Sequence, residues 1–131
     1  MPQANDTNRY HLLIVEDDRE SCELLRHVFP EWDLTISHTI TGAVSHYLER
    51  HFDLVMLDNW LPDGSGIELC REIRSRFPEI PIVFMSAAAQ ASTIDEAISS
   101  GANRYFIKPF DPEELRGVVK ELLEPRDAQQ H

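Results

Sequence analysis

One pattern limits this chain more than any other: a short apolar run followed by a segment of helical period, repeated five times. The runs lie at 12–15, 34–36, 54–57, 80–85 and 105–107. The first, third and fourth are nearly continuous in apolar residues, which is how strands covered on both faces read. The segments after them carry stripes wide enough to pack on a sheet. Cys22, Leu25, Val28 and Phe29 form the first stripe, and Ile40, Ala43, Val44, Tyr47 and Leu48 the second. Ile67, Cys70, Ile73 and Phe77 form the third, and Leu115, Val118, Val119, Leu122 and Leu123 the fifth. The fourth, Ala91, Ile94, Ala97 and Ile98, is the weakest. It buries least, so that helix is the candidate for movement.

Start and stop signals agree. Ser65-Gly66-Ile67-Glu68 has capping-box spacing, and so does Asp111-Pro112-Glu113-Glu114, with proline at the first helical position. Pro30, Pro78 and Gly101 fall where helices should stop. Strand–helix units in series imply an α/β fold with a five-stranded parallel sheet and helices on both faces, a three-layer sandwich. Right-handed crossovers leave few topologies, of which the flavodoxin-like order 2-1-3-4-5 is a common one. At 131 residues one domain is expected, spanning 11–124. A polar, disordered lead-in is expected over 1–10, and a fraying tail or the start of a linker over 125–131.

The net charge of -11, from 23 acidic and 12 basic side chains, argues against nucleic-acid binding by this domain, which would need a basic face. No apolar run approaches the ~20 residues of a membrane span, and the first ten residues lack the apolar core of a secretory signal. A cytoplasmic location is the expectation. Cys22 and Cys70 fall on helical apolar stripes and read as reduced core residues. None of His11, His27, His38, His46, His51 and His131 makes a zinc spacing.

In open parallel sheets, ligands sit beyond the carboxyl ends of the strands, near the switch in strand order. The first strand is followed by Glu16-Asp17-Asp18, the third by Asp58 and the fifth by Lys108-Pro109; the fourth ends in Ser86. In the order 2-1-3-4-5 the first and third strands are neighbours, so Glu16, Asp17 and Asp58 converge. Three carboxylates repel one another unless a cation neutralises them, and an all-oxygen set suits a hard ion such as Mg²⁺. One carboxylate, spared as a nucleophile, could take a phosphoryl group as an acyl phosphate. Lys108 offers an ammonium and Ser86 a hydroxyl to the phosphoryl oxygens. Asp18 reads as a helix cap only.

Four stretches carry a resemblance. They are Leu12-Leu13-Ile14-Val15-Glu16-Asp17-Asp18, Leu57-Asp58-Asn59-Trp60-Leu61-Pro62-Asp63-Gly64-Ser65-Gly66, Met85-Ser86-Ala87 and Tyr105-Phe106-Ile107-Lys108-Pro109-Phe110. In order and spacing the chain resembles the receiver domains of two-component response regulators, of the chemotaxis-regulator type, over about residues 11–123. The resemblance implies that Asp58 is the phosphoacceptor and Asp17 a direct Mg²⁺ ligand. Glu16 would reach the ion directly or through water, and the Trp60 backbone carbonyl would be a further ligand. Ser86 and Lys108 would hold phosphoryl oxygens, the Lys108–Pro109 bond would be cis, and Tyr105 would be the switch aromatic that turns inward as Ser86 moves. Two departures stand out: Glu16 replaces the commoner aspartate, and the bulky Trp60 lies beside the site, with Ala88 adding no polar group.

The expected function is Mg²⁺-dependent phosphoryl transfer to Asp58 from a sensor histidine kinase or a histidine phosphotransfer protein. The phosphate would bias a surface made by the fourth helix, fifth strand and fifth helix. This is a signalling switch that catalyses its own phosphorylation and dephosphorylation rather than a metabolic enzyme. By the same resemblance, a homodimer through the fourth helix to the fifth helix and an effector domain in cis or in trans are expected. Two alternatives make different demands. A haloacid-dehalogenase-type phosphatase wants a second aspartate two residues past the nucleophile, where this chain has Trp60. A degenerate receiver used only for docking has no need of the set Asp17, Asp58, Ser86 and Lys108.

Overall fold

The computed structural model describes residues 9–129. Five parallel strands form the main sheet: β1 (His11–Val15), β2 (Asp33–Ser37), β3 (Leu54–Leu57), β6 (Ile82–Ser86) and β7 (Arg104–Ile107). Their spatial order is β2-β1-β3-β6-β7, which is 2-1-3-4-5 for the five strands taken alone, the flavodoxin-like order. The remaining two strands, β4 (Trp60–Leu61) and β5 (Gly64–Ser65), make a small antiparallel ribbon that the apolar pattern does not announce. Five helices follow the strands: α1 (Arg19–Val28), α2 (Ile40–Glu49), α3 (Gly66–Arg76), α4 (Ala91–Ser99) and α5 (Pro112–Gln129).

Alternation along each strand sorts the core into two layers. Leu13, Val15, Val55, Leu57, Ile82 and Phe84 face α2, α3 and α4. Leu12, Ile14, Met56, Val83 and Met85 face α1 and α5. Every residue of β1 from Leu12 to Val15 is fully buried, as a central strand must be.

The fourth strand starts at Ile82, two residues later than its apolar run, with Pro81 just ahead of it lacking an N–H to give. Leu48 departs from its expected place in the core and is 59% exposed. Eight residues from Ile40, it has drifted to the edge of the α2 stripe, because the helical period of 3.6 does not return it to the same face. On α4 only Ala97 is buried, Ile98 is 45% exposed and the N-cap Gln90 makes no side-chain cap. The other caps form as their sequences require: Asp18 accepts from Ser21 N–H, Ser65 from Ile67 and Glu68, and Asp111 from Glu113.

Residues 1–8 of the expected lead-in and 130–131 of the expected tail lie outside the described residues. Within the lead-in, Arg9 pairs with Asp33 at 2.6 Å and Tyr10 packs edge-on against Trp32 with ring centroids 5.6 Å apart. α5 continues past Glu124 to Gln129. Among the described residues no helix is long and apolar enough to cross a membrane.

Candidate functional site

The site is built by extending the sheet one step past its strands. Asp58 N–H donates to Val15 O at 3.0 Å, Glu16 N–H to Ser37 O at 2.9 Å, and Lys108 N–H to Ser86 O at 2.9 Å. Each bond continues a ladder beyond the last strand residue and holds its side chain at the carboxyl edge. Glu16, Asp17 and Asp58 therefore each place a carboxylate oxygen within 4.8 Å of the others. Gly66 makes this approach possible from the other side. A Cβ there would lie 2.1 Å from Asp58 O, so any larger residue would push α3 off the backbone that carries the site.

Glu16 is fully buried, and both its oxygens are engaged. Oε1 takes Lys108 Nζ at 2.6 Å and Oε2 takes Asp18 N–H at 3.0 Å. Burial pushes its carboxyl above the ordinary value, and the charge of Asp58 adds to this against the lowering effect of Lys108 and the Asp18 N–H. Burial alone would lower Lys108, but the Glu16 hydrogen bond and the charges of Glu16 and Asp58 outweigh it and hold the ammonium above its ordinary value. The same ammonium reaches Asp58 Oδ2 at 3.2 Å, while Asp58 Oδ1 accepts the Trp60 N–H at 3.4 Å. Lys108 thus bridges the fully buried Glu16 and Asp58, which is 7% exposed. Asp17 is exposed at the rim.

The remaining expected residues gather at the same edge. Ser86 is fully buried, and its Oγ accepts the Ala88 N–H at 3.1 Å, which leaves the hydroxyl proton free to donate. The Tyr105 hydroxyl donates to Ala88 O at 2.7 Å, and its ring stacks on Phe84 with centroids 5.8 Å apart. The Lys108–Pro109 peptide is cis. Trp60 starts the β4 ribbon, with its side chain largely in solvent at 65% exposure. An oxygen-only donor set with one part-buried ammonium beside it fits a hard divalent ion such as Mg²⁺, and the described residues bring no histidine or cysteine into that cluster.

The residues from 12 to 120 match the family model of the response regulator receiver domain. This chain belongs to that family. Among its relatives, the transcriptional regulatory protein ResD of Bacillus subtilis is 33% identical over 125 residues, 94% of this chain and 50% of ResD. The transcriptional regulatory protein ZraR of Klebsiella oxytoca is 34% identical over 114 residues, 86% of this chain and 26% of ZraR. The receiver chain therefore spans a quarter to a half of these relatives. A crystal structure of a two-component response regulator from Clostridium difficile superposes with a TM-score of 0.84 at 30% identity, covering 88% of this chain and 97% of that one.

Reading the strand ends alone misses three residues that shape this receiver's site. Gly66 appears in sequence as part of a cap, and only the backbone contact reveals its steric role. His38 Nδ1 lies 2.9 Å from Glu16 O, at the end of the neighbouring β2. Asp63, in the turn after Asp58, accepts N–H bonds from Ile40 at 2.8 Å and Thr41 at 3.0 Å, and so caps α2 from another part of the chain. A carboxylate between Pro62 and Gly64 is a turn signal in sequence, and nothing there names its distant partner.

Proposed function

We propose that Asp58 accepts a phosphoryl group from a phosphohistidine of a sensor kinase or phosphotransfer protein. The observation that carries this reading is the convergence of Glu16, Asp17 and Asp58 with one ammonium, Lys108, on the Asp58 carboxylate. An Asp58 oxygen attacks phosphorus as the nitrogen–phosphorus bond of the donor breaks, leaving an acyl phosphate. Lys108 already sits beside that carboxylate and is placed to follow the charge onto the phosphoryl oxygens. Ser86, whose proton is uncommitted, donates to another of them.

Asp17, Asp58 and the Trp60 carbonyl would hold Mg²⁺, with Glu16 contributing through water because both of its oxygens are taken. Bound there, Mg²⁺ would offset the repulsion among the carboxylates and the charge of the transferring group. When Ser86 engages the phosphate, the segment at Ala88, tied to both Ser86 and Tyr105, is drawn into the change. The readout surface is then α4, β7 and α5, where Ile98 and Ile107 are exposed and α4 is weakly anchored. In this reading the domain works in the cytoplasm and passes its state to an effector domain in cis or in trans, or to a second copy through α4 to α5. It is a switch that catalyses its own modification, not a metabolic enzyme.

Incubation with acetyl phosphate and Mg²⁺, followed by intact-mass analysis, tests this. One added phosphoryl group is expected in the wild type and none in Asp58→Asn, whose amide is no nucleophile. Label on a histidine or on Asp63 would overturn the assignment.

A further inference from the structure

The Trp60 carbonyl, assigned above to Mg²⁺, sits on a small element. It opens the ribbon of β4 and β5, which pairs only Trp60 with Ser65 and Leu61 with Gly64. A two-stranded ribbon is marginal by itself. The indole gives it little anchorage, being 65% exposed. The Trp60 N–H reaches Asp58 Oδ1 only at 3.4 Å, a long bond. Leu61 is buried and pins one strand, and Ser65 pins the other by capping α3. The turn between the strands is held by Asp63.

Asp63 is exposed, yet its carboxylate accepts three hydrogen bonds from α2. Oδ1 takes the Ile40 N–H at 2.8 Å, and Oδ2 takes the Thr41 N–H at 3.0 Å and the Thr41 hydroxyl at 2.9 Å. The Ile40 N–H, and after it that of Thr41, holds the carboxyl below its ordinary value. It is therefore ionised at neutral pH and suits the positive end of the helix. Gly64 lets the turn seat closely, since a Cβ there would lie 2.9 Å from Ile40 Cδ1. Yet α2 already has a cap of its own, with Thr39 accepting the Gly42 N–H at 3.0 Å. The segment ahead of α2 leads back to the carboxylates. Ser37 O accepts the Glu16 N–H at 2.9 Å, and the His38 ring donates its Nδ1–H to Glu16 O at 2.9 Å. Asp63 thus joins two loops that flank the cluster: residues 37–41, which bracket the Glu16 peptide next to Asp17, and the ribbon that carries Trp60.

We propose that Asp63 is a positioning residue for Mg²⁺, a clamp that fixes the Trp60 carbonyl relative to Asp17. This rests on the Mg²⁺ reading given above. Mg²⁺ demands near-octahedral geometry, so a ligand that wanders weakens its binding. Loss of a group that orients a metal ligand typically costs about 10–100-fold in affinity.

The test is a Mg²⁺ titration of the full chain that follows the Trp60 amide resonance, with thermal melting alongside. Asp63→Ala should bind Mg²⁺ about tenfold more weakly than the wild type. Asp63→Asn loses the same charge but keeps one acceptor, so it should recover part of that loss. Thr39→Ala takes a cap from the same helix end without touching the ribbon. It should melt lower and bind Mg²⁺ as the wild type does. Unchanged affinity in Asp63→Ala would overturn the clamp while the ligand set stands. Equal losses in Asp63→Ala and Asp63→Asn would assign the effect to charge, and a matching loss in Thr39→Ala would assign it to the stability of α2; either result overturns the clamp. Should the wild type bind no Mg²⁺, or Asp17→Asn bind it equally well, the Mg²⁺ reading itself fails and the clamp falls with it.

Discussion

Tyr105→Phe isolates the contact that links the phosphoryl site to the rest of the fold. In the wild type the Ala88 peptide is held from both sides: its N–H by Ser86 Oγ at 3.1 Å and its carbonyl by the Tyr105 hydroxyl at 2.7 Å. The substitution removes the second bond and keeps the ring, so stacking on Phe84 persists. A neutral, partly buried hydrogen bond contributes about 1 kcal/mol net, which corresponds to a change of about fivefold in an equilibrium between two arrangements of the segment. If phosphate selects the arrangement in which the Tyr105 hydroxyl holds the Ala88 carbonyl, the variant should bind beryllium trifluoride, a phosphoryl stand-in, more weakly. The loss is bounded at about fivefold, since only the population of the competent arrangement changes. Reciprocity requires beryllium trifluoride to restore the same arrangement in the variant. Amide hydrogen exchange at Ala88 in the free protein should quicken by a similar factor, and a titration supplies the affinity. Unchanged exchange and affinity would show that the hydroxyl contributes nothing. Tighter binding in the variant would show that phosphate selects a different arrangement.

Mg²⁺ at ten times its dissociation constant should stabilise the wild type by about 1.4 kcal/mol; thermal melting should show a smaller shift in Asp17→Asn, and an equal one would remove Asp17 from the ligand set. Trp60→Asn should hydrolyse the acyl phosphate about tenfold faster, ~1.4 kcal/mol of barrier, if the indole hinders the approach of water; a decay rate equal to or slower than the wild type's excludes that role. Arg74→Ala should cost about 2–3 kcal/mol in denaturant unfolding, because this guanidinium donates to Gly101 O, Phe77 O, Pro78 O and Asn103 Oδ1 and ties α3 to the start of β7; a loss below about 0.5 kcal/mol, typical of a surface site, would refute that account. Glu31 is held below its ordinary value by the Arg116 guanidinium, so the folded state binds its proton less readily than the unfolded chain does. Its contribution is present above the unfolded carboxylate value and fades as pH falls through the lower folded one. The stability gap between wild type and Glu31→Gln should close over that acid range, and a gap that widens there would reverse the sign.

How far the sequence reached depends on whether a feature is local. The strand and helix alternation was legible because burial on both faces leaves continuous apolar runs, and burial on one face leaves a stripe of period 3.6. The caps at Asp18, Ser65 and Asp111 were legible because a cap needs only its own helix. The topology was narrowed, and with it the edge where Glu16, Asp17, Asp58, Ser86 and Lys108 would meet, because connection rules leave few alternatives. Sequence alone was silent where a contact joins distant segments. The Lys108–Glu16 bond spans 92 residues, and the choice of Glu16 as the buried partner follows from its place between β1 and β2 rather than from its identity. Asp63 capping α2 and Gly66 against Asp58 O are likewise products of packing. The amino-acid order sets which faces must be buried and which groups end each strand, since those follow from period and chemistry along the chain. Which carboxylate holds the cation, and which helix a turn carboxylate caps, is decided only when the layers close, because both depend on distances between residues that the chain does not connect locally.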